Sequence, residues 1–164
     1  MKILLLSDSH GHLDQKIIKY VNVVDEVWHA GDIGTTSVAN LISTLKSLRG
    51  VYGNIDGHEL RSIFPENQIF LCEGVKVLLT HIGGYPGKYN TRVKKLILKE
   101  KPQLYVCGHS HILKVMHDKQ NNLLHMNPGA CGIHGFHSQR TMLRFEINHG
   151  KIENLEAIEL SRSV

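Results

Sequence analysis

Apolar residues recur with two different periods along the first half of the chain. Short apolar runs at Lys2–Ser7, Glu26–His29 and Arg49–Tyr52 have the length of buried strands. Between these runs, apolar residues three or four positions apart predict two helices, one from Leu13 to Val24 and one from Val38 to Leu48. Strands and helices in this β-α-β-α-β order predict a parallel sheet with helices packed on it.

The second half of the chain has mostly strand-like patterns. One helix is predicted around Val93 and Ile97, before Pro102, and Asn-Asn and Asn-His-Gly sequences indicate hairpin turns. In the last strand the apolar alternation slips at Leu155, which predicts a bulge. The strands predicted in this half are Gln68–Cys72, Lys76–Thr80, Leu104–Cys107, Leu113–Asp118, Leu123–Met126, Thr141–Ile147 and Ile152–Leu160.

Together the two halves predict an α/β fold. Two mixed sheets packed face to face, with helices outside, accommodate both the parallel strands and the hairpins, which gives a double β-sheet sandwich flanked by helices (αββα). At 164 residues the chain has the length of one domain, and no linker or repeat divides it. We expect a single domain over residues 1–164.

Composition and charge exclude several classes of protein. No apolar run approaches the ~20 residues that cross a bilayer, and Asp8 and His10 interrupt the N-terminal run too early for a signal peptide. Three cysteines without a Cys-x-x-Cys pair argue against a disulfide framework and favour the cytoplasm. The formal net charge of +4 fits an anionic substrate but is too small to indicate nucleic-acid binding.

Side chains that bind metals follow five of the predicted strands, at the point where each strand ends. In sheets of this kind, sites lie beyond the carboxyl ends of the strands, so these side chains should converge. Nitrogen and oxygen donors without a thiolate suit Mn, Fe, Co, Ni or Zn. Seven donors exceed the needs of one tetrahedral zinc and fit two ions that share a carboxylate. The candidate ligands are Asp8, His10, Asp32, Asn54, His81, His109 and His111.

These residues resemble the motifs of a known enzyme family, the calcineurin-like metallophosphoesterases. Their order, their spacing and the short chain are most similar to the small prokaryotic YfcE-like branch. The resemblance covers nearly the whole chain and implies a phosphodiesterase with the fold predicted above. The motifs are Asp8-x-His10, Gly31-Asp32, Gly53-Asn54, His81, Gly108-His109-Ser110-His111 and the turn Asn127-Pro128-Gly129-Ala130.

The resemblance also implies a mechanism with two divalent ions. Manganese is the expected ion, with Ni, Co, Fe and Zn as alternatives, and a hydroxide between the ions would attack phosphorus. Metal coordination lowers the pKa of water from about 15.7 to about 7, so no separate general base is needed. The implied substrate is a small phosphodiester, with a nucleotide as one option, and the implied assembly is a homodimer or homotetramer. The ligands divide into Asp8, His10 and His111 for one ion and Asn54, His81 and His109 for the other, with Asp32 bridging.

Two positions depart from the family pattern. Many larger relatives have a histidine directly after the asparagine, proposed as the acid that protonates the leaving group, whereas this chain has Ile55. Asp56 or His58 is a candidate substitute, and we expect His58 to join Asp32 and Asn54 as a catalytic residue. The branch often reads His-Gly-His where this chain has His81-Ile82-Gly83. Because a general acid contributes ~10²–10⁴-fold, its loss should favour diesters or activated esters.

Three further histidines are expected to bind substrate. His134 and His137 follow the Asn-Pro-Gly turn, in a loop that also contains an arginine suited to phosphate. His12 would either touch substrate or cap the helix that follows it, and Gly83–Tyr89 would form either a substrate wall or a surface loop. Two other residues are interpreted as buried structural side chains: His29 and Cys107.

Three other functions stay open at this stage. The motifs do not separate a phosphodiesterase from a phosphomonoesterase. A non-catalytic protein-interaction scaffold of the same fold is a second alternative, as in the related retromer subunit, which has lost key ligands. A nucleic-acid-binding module that uses the lysine-rich helix is the third. Retention of all seven candidate ligands argues against a scaffold. The lysine-rich segment from Lys88 to Lys101 is interpreted as a solvated helix face, because aromatic residues that stack on bases are scarce there.

Overall fold

The structure is a computed structural model that describes residues 1–162. In this part of the chain, ten strands form two five-stranded sheets with four helices outside them. No helix in this part of the chain has the length and hydropathy needed to cross a bilayer. In chain order the elements are β1 (Lys2–Leu6), α1 (Gln15–Asn22), β2 (Glu26–His29), α2 (Thr36–Leu45), β3 (Ser47–Gly50), α3 (His58–Ile63), β4 (Asn67–Cys72), β5 (Val75–Thr80), α4 (Thr91–Glu100), β6 (Leu104–Val106), β7 (Leu113–Asp118), β8 (Leu123–Pro128), β9 (Gln139–Asn148) and β10 (Lys151–Ser161).

Both sheets are mixed, and the first joins strands from the two ends of the chain. Its order is β10-β9-β1-β2-β3, in which β1, β2 and β3 are parallel and β9 is antiparallel to β1 and β10. The second sheet has the order β4-β5-β6-β8-β7, with parallel β5, β6 and β8 between antiparallel edge strands. The predicted double sheet flanked by helices is confirmed, and the predicted bulge falls where the β9–β10 register shifts between Glu153 and Glu156.

The alternation of side chains along β1 explains the layers. Ile3 and Leu5 belong to the core between the two sheets, whereas Leu4 and Leu6 pack with the apolar residues of α1 and α2 on the outer face. Because successive strand residues point to opposite faces, a strand buried on both faces needs an unbroken apolar run. The second sheet has its own outer cluster, in which α4 contributes Val93.

The largest differences from the sequence prediction concern three elements. β3 begins two residues earlier than expected because α2 ends at Leu45, and Leu48 pairs with β2 in the sheet. α1 begins only at Gln15, after Asp14, whose carboxylate accepts a hydrogen bond from the Ile17 amide at 3.1 Å. α3 has six residues with Leu60 as its buried apolar residue, so apolar spacing does not predict it.

The three cysteines are buried free thiols, which agrees with the prediction that they form no disulfide framework. Burial raises the pKa of Cys107 and of Cys131 to about 12. Both thiols therefore stay protonated at neutral pH and are poor metal ligands and poor nucleophiles. Cys107 is a small buried side chain next to the candidate ligands, as its sequence position indicated.

His125, on β8, is a buried imidazole that makes the fold sensitive to acid. Its ring stacks on Tyr105 with 5.1 Å between centroids. Burial and the charge of Lys114 lower its pKa from 6.5 to about 4. Because the pKa is lower in the folded chain, unfolding takes up a proton between these two values. The contribution of neutral His125 to stability is complete above about pH 6.5 and is lost as the pH falls toward about 4.

Replacing His125 with phenylalanine should therefore flatten the pH dependence of stability. Phenylalanine retains an aromatic ring against Tyr105 but binds no proton. Between about pH 7 and pH 4, His125→Phe should lose about 3 kcal/mol less unfolding free energy than the parent. Urea unfolding at a series of pH values measures this difference. His117→Phe, at an exposed position on β7, is the matched control, and parallel curves for parent and His125→Phe would contradict the assignment.

Candidate metal centre

The candidate ligands lie in five turns at one end of the two sheets. Each turn follows the carboxyl end of a strand, namely β1, β2, β3, β5 or β6. Backbone hydrogen bonds connect neighbouring turns: the Asp8 amide donates to the Gly31 carbonyl, and the Gly108 amide donates to the His81 carbonyl, both at 3.0 Å. The His109 amide donates to Asp8 Oδ2 at 3.0 Å and so joins the turns of the two sheets, and the convergence expected from the strand ends is observed.

The ligand atoms form two adjacent groups, each compact enough for one ion. In the first group the candidate donor atoms of Asp8, His10 and His111 lie within 4.8 Å of one another, and in the second so do those of Asp32, His81 and His109. Asn54 adjoins the second group, with its Oδ1 3.1 Å from His81 Nε2. The Asp32 carboxylate faces both groups, because Oδ2 lies 3.9 Å from His10 Nε2 and Oδ1 lies 3.3 Å from His81 Nε2.

Asp8 presents an unpaired carboxylate oxygen to the first group. Its Oδ2 accepts hydrogen bonds from Ser7 Oγ at 2.6 Å and from the His109 amide at 3.0 Å. Its Oδ1 is buried without a hydrogen-bond partner among the described residues and lies 3.2 Å from His111 Nε2. A buried carboxylate oxygen is costly unless a positive charge is near it, so this atom fits a cation ligand.

His81 presents a ring nitrogen to the second group. Its Nδ1 lies 2.7 Å from the Ala30 carbonyl oxygen, which only accepts, so Nδ1 carries a proton and Nε2 faces Asp32 and Asn54. Burial acts to lower the pKa of His81, but the hydrogen bond to Asp32 and the charges of Asp8 and Asp32 outweigh it and raise the pKa. At His10 burial prevails over the same carboxylates, and the pKa is lowered. The carboxylates that favour a proton on His81 also favour a metal cation there.

The backbone is left-handed at five of the seven candidate ligands. Residues other than glycine seldom adopt this backbone conformation, because it costs about 1–3 kcal/mol for each residue. Such conformations persist where the surrounding structure imposes them, and they are concentrated at functional sites. The residues, with φ between 49° and 69°, are Asp8, His10, Asp32, His109 and His111.

Gly53 permits the close contact between two of the turns. A Cβ at this position would lie 2.0 Å from Asp32 Oδ1 and 2.3 Å from the Asp32 amide nitrogen. Any side chain at residue 53 would displace Asp32 or the turn that carries Asn54. The glycine therefore serves the close backbone approach that its position before Asn54 suggested.

The candidate acids near Ile55 do not enter the site. Asp56 is buried, and its carboxylate accepts from three backbone amides, those of Ile33, Gly34 and Gly53. This carboxylate fixes the turns and has no free position for a substrate. His58 begins α3 and lines a separate depression beside Gly34. The sequence-based expectation that His58 or Asp56 replaces the missing histidine therefore has no support in the geometry, because the chain turns away after Ile55.

His12 lies against the start of α1. Its Nε2 is 3.4 Å from Asp14 Oδ2, and the same carboxylate oxygen accepts from Arg140 at 2.8 Å. Arg140 is fully buried and also donates to the Cys131 carbonyl. The arginine thus holds the helix cap and the loop after β8, while His12 contacts the cap residue. This geometry gives neither side chain a substrate contact.

The two histidines of the loop after β8 both reach the centre, but differently. The exposed ring of His134 lies 5.1 Å from the ring of His10, on the solvent side of the ligands. His137 lies against His111, with its Nδ1 3.3 Å from His111 Nδ1. Both residues line the cavity over the ligands, but the two ring nitrogens of His137 are already engaged by His111 and by the Gly132 carbonyl, whereas the ring of His134 is exposed.

A cavity of about 520 Å³ lies over the two groups. Asp32 and Asn54 form part of its floor, and three exposed apolar side chains, Ile55, Ile112 and Phe136, line it as well. An adjacent cavity of about 180 Å³ is lined by Gly83, Gly84 and Tyr85 together with the turn of β6. The segment 83–89 thus adjoins the site at its beginning.

Two buried or bridging residues support the turns from behind. His29 is fully buried, with its Nδ1 accepting from the Gly31 amide and its Nε2 2.9 Å from Ser9 Oγ, and burial lowers its pKa to about 4. Its interpretation as a structural histidine is confirmed.

Arg61, which the sequence analysis did not single out, donates hydrogen bonds to the backbone carbonyls of Asp56, Gly53 and Asn54. No sequence pattern reveals such a role, because its acceptors are backbone groups.

The double sheet with nitrogen and oxygen donors at the strand ends has the architecture of a metal-dependent phosphoesterase. A family model described as the calcineurin-like phosphoesterase superfamily domain matches residues 1–150. The chain belongs to this superfamily, whose members use divalent metals.

Similar proteins agree with this assignment. A probable metallophosphoesterase from Mycoplasma pneumoniae is 27% identical over 161 residues, which covers 94% of each protein. The structure of an archaeal phosphodiesterase is similar with a TM-score of 0.78 and 23% identity, covering 98% of this chain and all of that one. A zinc complex of Vps29 from Entamoeba histolytica has a TM-score of 0.75 and 16% identity, covering 99% of this chain and all of the other. At these identities the two structures show the fold alone.

Proposed function

We propose that this protein is a dinuclear-metal-dependent phosphodiesterase. The observation that carries the proposal is the pair of adjacent ligand groups with the Asp32 carboxylate facing both. When bound, two divalent ions would activate water and neutralise charge on the phosphoryl oxygens. Manganese is the expected ion, with Ni, Co, Fe and Zn as alternatives. The residues that would hold the ions are Asp8, His10 and His111 in one group and Asn54, His81 and His109 in the other, with Asp32 shared.

The protein contributes a rigid arrangement of donors. Ser7 and the His109 amide hold Asp8, and the Ile55 amide donates to Asp32 Oδ1 at 3.0 Å. The Ala30 carbonyl orients the ring of His81. Donors fixed in this way need little rearrangement when an ion and a phosphate arrive, which favours both affinity and turnover.

The cavity supports a diester rather than a monoester as substrate. A monoester has one organic group, whereas a diester has two that must both be accommodated beside phosphorus. The space of about 520 Å³ and the apolar side chains of Ile55, Ile112 and Phe136 suit organic groups on both sides. His134 is the residue proposed to contact substrate, because its exposed ring lies beside His10 in the same cavity. A small diester, with a nucleotide as one option, fits this space.

A reducing compartment agrees with the chemistry of the chain. Three buried free thiols gain nothing from an oxidising environment. We therefore propose a cytoplasmic enzyme that acts as a single domain. We also propose a homodimer or homotetramer, and light scattering on the purified protein measures its molar mass in solution.

The expected metal content is two ions per chain. Protein saturated with Mn²⁺ and freed of excess metal should retain about two ions by elemental analysis, since each compact group fits one ion. The same sample should hydrolyse aryl phosphodiesters faster than aryl monoesters. Greater activity on monoesters would favour the phosphomonoesterase alternative. Bound metal without hydrolysis of diesters or monoesters would favour the scaffold alternative. The absence of bound metal at saturating Mn²⁺ would contradict the proposal that the protein is an enzyme.

A further inference from the structure

The loop over residues 133–137, called here the 133–137 loop, is fastened to the end of β10. The Arg162 guanidinium donates to the carbonyl oxygens of Ile133 at 3.2 Å, Gly135 at 2.8 Å and His137 at 3.0 Å. Three hydrogen bonds from one planar group fix the path of the loop backbone. The position of His137 is thus set by the structure around it.

Gly135 brings the loop against the candidate ligand His111. Its φ of +124° lies outside the range that other residues adopt readily, and a Cβ there would be 2.5 Å from His111 Nδ1 and 3.1 Å from His137 Nδ1. Glycine at this position therefore allows the two imidazoles to approach each other, with 5.2 Å between the ring centroids and 73° between the ring planes.

The hydrogen bonds of His137 have only one consistent direction for a neutral ring. Its Nε2 lies 2.9 Å from the Gly132 carbonyl oxygen, which only accepts, so Nε2 carries the proton. Its Nδ1 then has a lone pair, and it lies 3.3 Å from His111 Nδ1. His111 must donate at that contact, so His111 Nδ1 carries a proton and Nε2 is left with a lone pair.

The lone pair of His111 faces the first ligand group. His111 Nε2 lies 3.2 Å from Asp8 Oδ1 and 3.3 Å from His10 Nε2. At His81 in the second group, the Ala30 carbonyl imposes the same tautomer directly. The two groups thus reach the same result by different means, a backbone carbonyl in one and a second imidazole in the other.

We infer that His137 is a positioning residue that fixes the tautomer and the ring orientation of His111 for cation binding at Asp8, His10 and His111. This role differs from the substrate contact that the sequence suggested, since the imidazole is engaged at both nitrogens by Gly132 and His111. The inference rests on the proposed function only in requiring a cation at the first group. It holds whatever ester the protein hydrolyses.

The tautomer of His111 is measured in the full-length protein loaded with Zn²⁺, which is diamagnetic. Long-range ¹H–¹⁵N spectra should show His111 protonated at Nδ1 and metal-bound at Nε2, and His137 protonated at Nε2. The opposite tautomer at either ring would overturn the inference without any variant. Since this readout requires bound metal but no turnover, it is separable from the success or failure of the proposed phosphodiesterase activity.

Variants of His137 test the consequence for affinity. His137→Phe removes the acceptor, and outer partners of metal-bound histidines affect metal affinity by about 10–100-fold. One of the two Zn²⁺ binding steps should weaken by such a factor, while the other stays close to that of the parent. His137→Asn offers an amide oxygen near the place of Nδ1 and should recover most of the loss. His117→Phe, on the exposed side of β7, is the control.

Two outcomes of the zinc titrations would contradict the inference. Two Zn²⁺ steps in His137→Phe equal to those of the parent would overturn the inference, as would equal weakening in His137→Phe and His137→Asn. Should His137→Phe not fold, judged by circular dichroism of the metal-free protein, Arg162→Ala loosens the 133–137 loop from outside. Arg162→Ala should weaken the same Zn²⁺ binding step. An unchanged Zn²⁺ affinity at that step would also contradict the proposed contacts from Arg162 through His137 to His111.

Discussion

Asp32→Asn should lower kcat/KM for an aryl phosphodiester by more than about 100-fold, the upper range for residues that only support metal ligands. Asp32 is expected to have a larger effect than such residues because one oxygen faces His10 and the other faces His81. Asparagine has nearly the same volume, and its Oδ1 can still accept from the Ile55 amide. The variant should therefore fold normally but lack the negative charge that both ions share.

Three measurements on one preparation separate these effects. Circular dichroism should match the parent, elemental analysis should show fewer than two bound ions, and turnover should be lost. Asp25→Asn, at an exposed position after α1, is the matched control and should behave like the parent. An Asp32→Asn protein with two ions and near-normal kcat/KM would show that the shared carboxylate is wrongly assigned.

Hydrolysis rates should depend steeply on the pKa of the leaving group, because Ile55 stands where many relatives have a histidine. Ile55 lines the cavity beside Asn54 but cannot donate a proton. In a series of aryl phosphodiesters, kcat/KM of the parent should fall strongly as the leaving group becomes more basic. Ile55→His should flatten the series and raise the rate for the poorest leaving group by on the order of 10²-fold, within the usual contribution of a general acid.

The control for this series is Ile55→Asn, which adds polarity at the same place without a titratable group. If the asparagine variant flattened the series as well, polarity rather than proton donation would be responsible. A flat series in the parent would mean that another acid acts or that bond cleavage is not rate-limiting. His134→Phe is then the informative variant, because His134 lies in the cavity whereas His58 lies in a separate depression.

Most of the candidate site could be predicted from the sequence because its information is local. Candidate ligands such as Asp8 and His81 lie within two residues of the end of a strand, and the apolar run that forms the strand is visible in the sequence. The carboxyl ends of parallel strands meet at one edge, so residues distant in sequence were expected to converge. The family resemblance then assigned the same residues to two ions, and the structure brings them into two compact groups.

The order of the strands in the two sheets could not be predicted from the sequence. Nothing local indicates that β9 inserts beside β1, since that pairing joins residues such as Leu5 and Leu143 through the packing of the whole sandwich. The shift of β3 has a similar cause, because Leu48 fits both a helical and a strand pattern, and only its pairing with Val27 decides between them. Periodicity in a short apolar stretch does not distinguish these outcomes.

By itself, the sequence determined the class of fold, the candidate ligand set and the absence of a histidine at residue 55. Only the tertiary structure decided the places of the other histidines: His12 on a helix cap, His58 in a separate depression, His134 exposed in the cavity and His137 against His111. The physical reason is that a hydrogen bond depends on direction as well as on distance. Partners such as Asp14 and Arg140, separated by 126 residues, acquire that direction only when the whole chain is packed.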